Sequence, residues 1–150
     1  MIRIVRTDSR NRDFIELVKL LDAELAARDG KEHAFYARFN KIDNIKFVVV
    51  GYENDNAISC GAIKQYEPGI VEIKRMYTAL EYRGKGIATR VLVELELWAK
   101  EMSYQKCILE TGKRQPEAIR LYEKNGYKRI PNFGQYIGVK NSLCFEKVIK

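Results

Sequence analysis

The run Tyr82-Arg83-Gly84-Lys85-Gly86-Ile87-Ala88-Thr89 constrains this chain more than any other. It joins two segments of different period. Before it, Ile70 to Tyr77 reads as an extended, partly alternating strand. After it, Val91, Leu92, Leu95, Trp98, Ala99 and Met102 recur at helical spacing and make one face apolar. Gly84 and Gly86 lack a Cβ and can take positive φ, so the turn can be tight and a ligand can approach the backbone. The helix that follows starts with N–H groups that have no intrahelical partner, at the positive end of its dipole. Strand, glycine turn and helix together make an anion site, and phosphate is the natural anion. Arg83, Lys85 and Arg90 add positive charge. Each hydrogen bond to a charged phosphate contributes about 1.5–3 kcal/mol net.

Two common phosphate loops do not fit. A dinucleotide fingerprint needs a third glycine three residues after Gly86, where Thr89 stands, and a Walker loop needs Ser or Thr after Gly84-Lys85, where Gly86 stands. The pattern present is Arg-x-x-Gly-x-Ala, from Arg83 to Ala88.

The remaining elements follow from periodicity and turn chemistry. Ile2 to Val5 is a short strand, and Asn11 to Arg28 a helix stopped by Gly30. A second short helix covers Glu32 to Phe39. With the preceding turn it carries Arg28, Asp29, Lys31, His33 and Tyr36, either as a solvated turn or as a lid on a substrate. Lys46 to Tyr52 and Ala57 to Tyr66 form a hairpin about Asn54-Asp55-Asn56, with Gly61 a candidate bulge. Pro68-Gly69 turns the chain into the strand before the loop. Gln105 to Glu110 is a strand parallel to that one across the long helix. Gln115 to Lys124 is a helix ended by Asn125-Gly126. Tyr127 to Ile130 is extended, Pro131 to Gly134 a turn, and Ser142 to Val148 the last strand. A chain of 150 residues without a linker or repeat is expected to be one domain.

This order, a mixed α/β (α+β) chain, is similar to that of the GCN5-related N-acetyltransferase (GNAT) family. The resemblance spans nearly the whole chain. It is carried by the loop Arg83 to Ala88, by Leu121-Tyr122-Glu123-Lys124-Asn125-Gly126-Tyr127, and by Glu72 on the strand before the loop. It implies a mostly antiparallel sheet with a splayed parallel pair and helices on both faces. It also implies acetyl-CoA as acyl donor. The pyrophosphate would lie on Arg83, Gly84, Lys85, Gly86, Ile87, Ala88 and Thr89, and the pantetheine arm along Met76, Tyr77 and Thr78. Where many members carry Asn on the pantetheine arm, this chain has Gln115, which keeps the amide but lengthens its reach. Gly112, Lys113 and Arg114 precede it, where they could meet a substrate or the cofactor's 3′-phosphate.

Acyl transfer to an amine needs a proton acceptor for the amine and a leaving thiol. A lysine-like amine has a pKa of about 10.4, so neutralising it at pH 7 costs roughly 4–5 kcal/mol. A carboxylate can take that proton. Glu72 is the first candidate, and some similar proteins use a glutamate on this strand; pairing with Lys74 is its structural alternative. Strict alternation would put Glu72, Lys74 and Met76 on one face and Ile73, Arg75 and Tyr77 on the other. Glu110 is the second candidate base or a cation-binding group. Tyr122 is the candidate acid, since a phenol stays protonated and can donate to the departing sulfur.

The acceptor is less legible. Tyr36, Phe133 and Tyr136 could wall its pocket, with Glu72 and Glu110 holding a cationic amine. A small-molecule amine or amino-acid derivative, a protein amine, and a non-catalytic acyl-CoA-binding role all stay open. The net charge of +7 is scattered among acids, which disfavours nucleic acid as a partner. No apolar run approaches the roughly 20 residues that span a membrane, and Met1 to Arg6 carries no apolar leader core. Three spaced cysteines match no metal pattern, and His33 is the one histidine, so no metal is expected. Buried free thiols suit the reducing cytoplasm. Homodimerisation through the edge of the C-terminal strand is a further expectation.

Overall fold

The computed structural model describes residues 1–30 and 45–150. The expected helix Glu32 to Phe39, with His33 and Tyr36, lies outside the described residues. In chain order the elements are β1 (Ile2–Thr7), α1 (Arg12–Asp29), β2 (Phe47–Glu53), β3 (Asn56–Glu67), β4 (Ile70–Thr78), α2 (Ile87–Glu101), β5 (Lys106–Gly112), α3 (Pro116–Lys124), β6 (Lys128–Ile130) and β7 (Ser142–Val148). Single 3-10 turns occupy Leu80–Tyr82 and Gly134–Tyr136.

The local signals account for the element ends. Asn11 caps α1 by accepting from Phe14 N–H at 2.9 Å, and Gly30 closes it at φ +58°. Pro116 opens α3, where its missing N–H costs nothing. One sheet runs through the chain in the order β1-β2-β3-β4-β5-β7-β6. On one face α1 packs Phe14, Leu17 and Val18 against Val48, Val50, Cys60 and Ala62. On the other, α2 packs Val91, Leu92 and Leu95 against Val49, Ile63, Val71 and Ile73, with Tyr122 of α3 in the same cluster. Full burial of a side chain such as Leu95 contributes about 1.5–3 kcal/mol.

Three expectations change. The edge of the last strand is covered in part, because β6 pairs with Cys144, Phe145 and Glu146 of β7; the sheet ends at β1 and at the short β6. Second, the bulge at Gly61 belongs to the partner strand. Cys60 pairs with Tyr77 and Ala62 with Lys74, so Gly61 alone opposes both Arg75 and Met76. Arg75 takes φ +58° to fit the extra residue.

Third, the bulge breaks the alternation of β4. Met76 packs with Val71 and Ile73 beneath α2, whereas Arg75 pairs with Asp22 of α1 and Tyr77 packs in the α1 cluster. Glycine at position 61 leaves room for this. A Cβ there would collide with Met76 Sδ and stand 2.9 Å from Leu95 Cδ1.

The parallel pair splays as expected. Ile70, Val71 and Glu72 pair with Lys106, Cys107 and Ile108; beyond them β4 and β5 run on to Thr78 and Gly112 without pairing to each other.

Candidate active site

The parted strands open a cleft of about 780 Å³. One end is the glycine turn. Gly84 and Gly86 stand at φ +78° and +79°, conformations that a side chain would strain. A Cβ on either would meet nothing within 4 Å among the described residues, which leave the space above the turn open. Gly86 is the residue before α2, and no side chain caps that helix. Ile87, Ala88 and Thr89, the first residues of α2, all line the cleft. An uncapped helix start beside open space suits a phosphate.

The basic residues of the turn are less free than the sequence suggests. Arg83 donates from Nε to Thr78 O at 2.8 Å and from Nη2 to Glu24 at 2.8 Å. Lys85 is exposed with its Nζ 5.4 Å from the centre of the Tyr82 ring, and it does not line the cleft. Arg90 donates to Ile2 O at 3.3 Å. Gly112, Lys113 and Arg114 do not wall the cleft either; Arg114 instead donates to Arg28 O at 3.4 Å.

The walls are β4, β5 and the start of α3. Met76, Tyr77, Thr78 and Gln115 all line the opening. Part of the β4 edge is already engaged, since Tyr77 O accepts from Ser59 Oγ at 2.9 Å and Thr78 O from Arg83. α1 crosses above, joined to the glycine turn by Glu24–Arg83 and to α3 by the Arg28–Glu117 ion pair.

The far end collects Glu72, Glu110, Tyr122 and Tyr136. Glu72 sits where the strands part. Burial raises its pKa above the ordinary carboxylate value, and Lys74 and Lys64 oppose that rise. Lys74 Nζ stands 3.7 Å from Glu72 Oε2, too far for a strong hydrogen bond. Burial, reinforced by Glu110, pushes the Tyr122 phenol well above its ordinary range, so it stays protonated at any working pH. Tyr136 is 2% exposed, and burial with the field of Glu110 and Glu72 raises its pKa as well. Asn132 fixes this tyrosine's loop by donating to Tyr136 O at 3.0 Å and Val139 O at 3.1 Å.

Phe133 does not reach the cleft. It stands behind, edge-on to Tyr136 at 5.8 Å and to Tyr66 at 5.2 Å. Tyr36 lies outside the described residues. Glu24, Lys74 and Arg75 line the cleft without having been assigned a site role from sequence. The one signal for the last two is a pair of adjacent cations in a strand that is apolar apart from Glu72 and Thr78.

Cys60, Cys107 and Cys144 are free and buried. Burial pushes the first two thiols up to about 12 and the third to about 11, which makes each a poor nucleophile. Among the described residues no His, Cys, Asp and Glu cluster could hold a metal ion, and no helix is long and apolar enough to cross a membrane.

Comparison with known proteins agrees with this geometry. The profile of the acetyltransferase (GNAT) family matches residues 14–127. The chain is 35% identical over 149 residues to an IAA acetyltransferase of Azospirillum brasilense, covering 97% of both. Among solved structures it is similar to a Klebsiella pneumoniae protein assigned as an acyl-CoA N-acyltransferase, with TM-score 0.84, 27% identity and coverage of 100% and 99%. A GNAT acetyltransferase of Elizabethkingia anophelis, solved with acetyl-CoA bound, shares the fold at TM-score 0.68 and 19% identity, over 98% and 97% of the two chains.

Proposed function

This chain belongs to the GNAT family of acetyltransferases and is an acyltransferase; on that premise we propose that it transfers an acetyl group from acetyl-CoA to the primary amine of a small molecule, by direct attack in a ternary complex. The observation that carries this reading is the cleft between the parted ends of β4 and β5. It runs from the uncapped start of α2 to a pair of carboxylates. The pyrophosphate fits the amides of Ile87, Ala88 and Thr89, with Gly84 and Gly86 leaving it room. The pantetheine arm fits beside Met76, Tyr77 and Thr78, with Gln115 across from it.

In the reaction, the acceptor's ammonium group gives one proton to Glu72. The neutral nitrogen attacks the thioester carbonyl carbon, and the C–S bond breaks. The sulfur takes a proton from Tyr122, and the second nitrogen proton, lost as the amide forms, restores the phenol. Burial brings the affinity of Glu72 for a proton closer to that of the amine than an exposed glutamate's would be. Glu110 holds the ammonium group beside it. The thiol leaves readily at a pKa of about 8.5, so the acid contributes at most about 100-fold. An acyl-cysteine route is disfavoured by the inert state of the buried thiols. Those free thiols also support a reducing, cytoplasmic setting, and a sheet that draws on both ends of the chain supports a single domain.

Calorimetric titration with acetyl-CoA and with dephospho-CoA tests the donor. Saturable binding at micromolar concentration, followed by thiol release with a panel of amines, is the expected outcome. No binding at millimolar acetyl-CoA would remove the donor site and the reaction with it.

A further inference from the structure

The cleft is also lined by a buried cation with hydrogen-bonding capacity to spare. Arg75 is 6% exposed, lines the cleft, and occupies the left-handed backbone position of the β4 bulge. Such strained positions persist where the surrounding structure imposes them, and they cluster at functional sites. Its Nη2 donates to Asp22 Oδ1, while its Nε is buried and has no hydrogen-bond partner among the described residues. Nε and Nη2 are the two prongs of a fork that matches both oxygens of one carboxylate. Asp22 takes only one prong. The Asp22 side chain is 51% exposed against 2% for that of Arg75, so this pair meets water on the aspartate side, where a ligand carboxylate can compete for the guanidinium. Asp22 is therefore a replaceable occupant. Glu72 and Glu110 line the same cleft, and Lys74 stands beside Glu72.

A simple amine would engage the two acids and leave the fork half-filled. A polyamine would meet repulsion from Arg75 and Lys74. A zwitterion satisfies both ends. Resting on the acetyl-transfer reading above, we propose that the acceptor is an amino carboxylate, its amine against Glu72 and Glu110 and its carboxylate displacing Asp22 to take both prongs of Arg75. The product is then an N-acetylamino carboxylate.

The test uses free α-amino acids paired with their α-carboxamides, which keep the amine and lose the charge. The wild-type protein is expected to favour the free acid about 10- to 100-fold in kcat/KM, the usual range for a charge-assisted bidentate pair. Arg75→Gln should bring the ratio near one, chiefly through KM, with acetyl-CoA affinity unchanged. Arg75→Lys keeps the charge without the fork and should fall between. Asp22→Asn, a surface change, should raise the preference a few-fold by removing the competing carboxylate. Equal use of acid and amide by the wild-type protein, or a preference that survives Arg75→Gln, overturns the proposal. Should Arg75→Gln not fold, an unchanged preference in Asp22→Asn does so. If acetyl-CoA binds but no amine releases thiol, the transfer reading fails instead. The acid-over-amide preference is then read by titrating the same pairs into the CoA complex, and its absence there overturns the acceptor assignment.

Discussion

Arg83 donates from Nη2 to both carboxylate oxygens of Glu24, at 2.8 and 3.1 Å, across 59 positions of sequence. The arginine of the glycine turn is thereby held against α1. Its Nε is held as well, on Thr78 O. A bound pyrophosphate must compete with Glu24 for this guanidinium. The two side chains are 24% and 29% exposed, so the pair is worth about 1 kcal/mol or less.

Glu24→Gln should therefore tighten acetyl-CoA binding about 3-fold, while Arg83→Gln should weaken it about 10-fold or more. Calorimetry at low salt measures both. If both variants weaken binding alike, the pair orders the turn and does not compete with the ligand.

Tyr122→Phe should lower kcat by up to about 100-fold without changing acetyl-CoA affinity, because the hydroxyl acts on the departing sulfur alone. Steady-state turnover beside a binding titration separates the two effects. Unchanged turnover would remove Tyr122 from the chemistry.

Glu72 links pH to activity and to stability. Its folded-state pKa is raised, so the folded protein holds this proton more tightly than the unfolded chain does. Its contribution to stability is present below the ordinary carboxylate pKa and is lost as pH rises through the raised value. Glu72→Gln removes that loss. Thermal melts should show the variant gaining on the wild-type protein as pH rises from about 4, the ordinary carboxylate value, through the raised one, while turnover at neutral pH falls. A stability difference that does not change with pH would mean that Glu72 titrates normally.

Gly61→Ala tests the bulge. The new methyl would collide with Met76 Sδ and approach Leu95 Cδ1 and Val91 Cγ1 at 2.9 and 3.2 Å. Overpacking of this kind costs about 1–3 kcal/mol. Urea unfolding should show that loss, with much of it recovered on adding Met76→Ala. Additive costs in the double variant would mean that Met76 does not occupy the space.

The sequence by itself determined the pieces. The glycine turn, the cap at Asn11, the stop at Gly30, the strand Ser142–Val148 and the apolar face of α2 are all settled by interactions within a few residues. Glu72, Glu110 and Tyr122 were singled out from residue chemistry and the resemblance to the family, and all three line the cleft.

Only the tertiary structure decided what those pieces do to one another. The seat of β7 between β5 and β6, the turn of Met76 toward α2, and the pairing of Arg75 with Asp22 and Arg83 with Glu24 all depend on packing between distant segments. Periodicity reports which face of an element is apolar. It carries no record of where a strand takes an extra residue, because the bulge at Arg75 is set by the register of β3 against β4 and by the space a missing Cβ leaves at Gly61. That one added residue turns Arg75 to the α1 face, where it lines the cleft, and it is why alternation counted along β4 assigns the wrong face from there on.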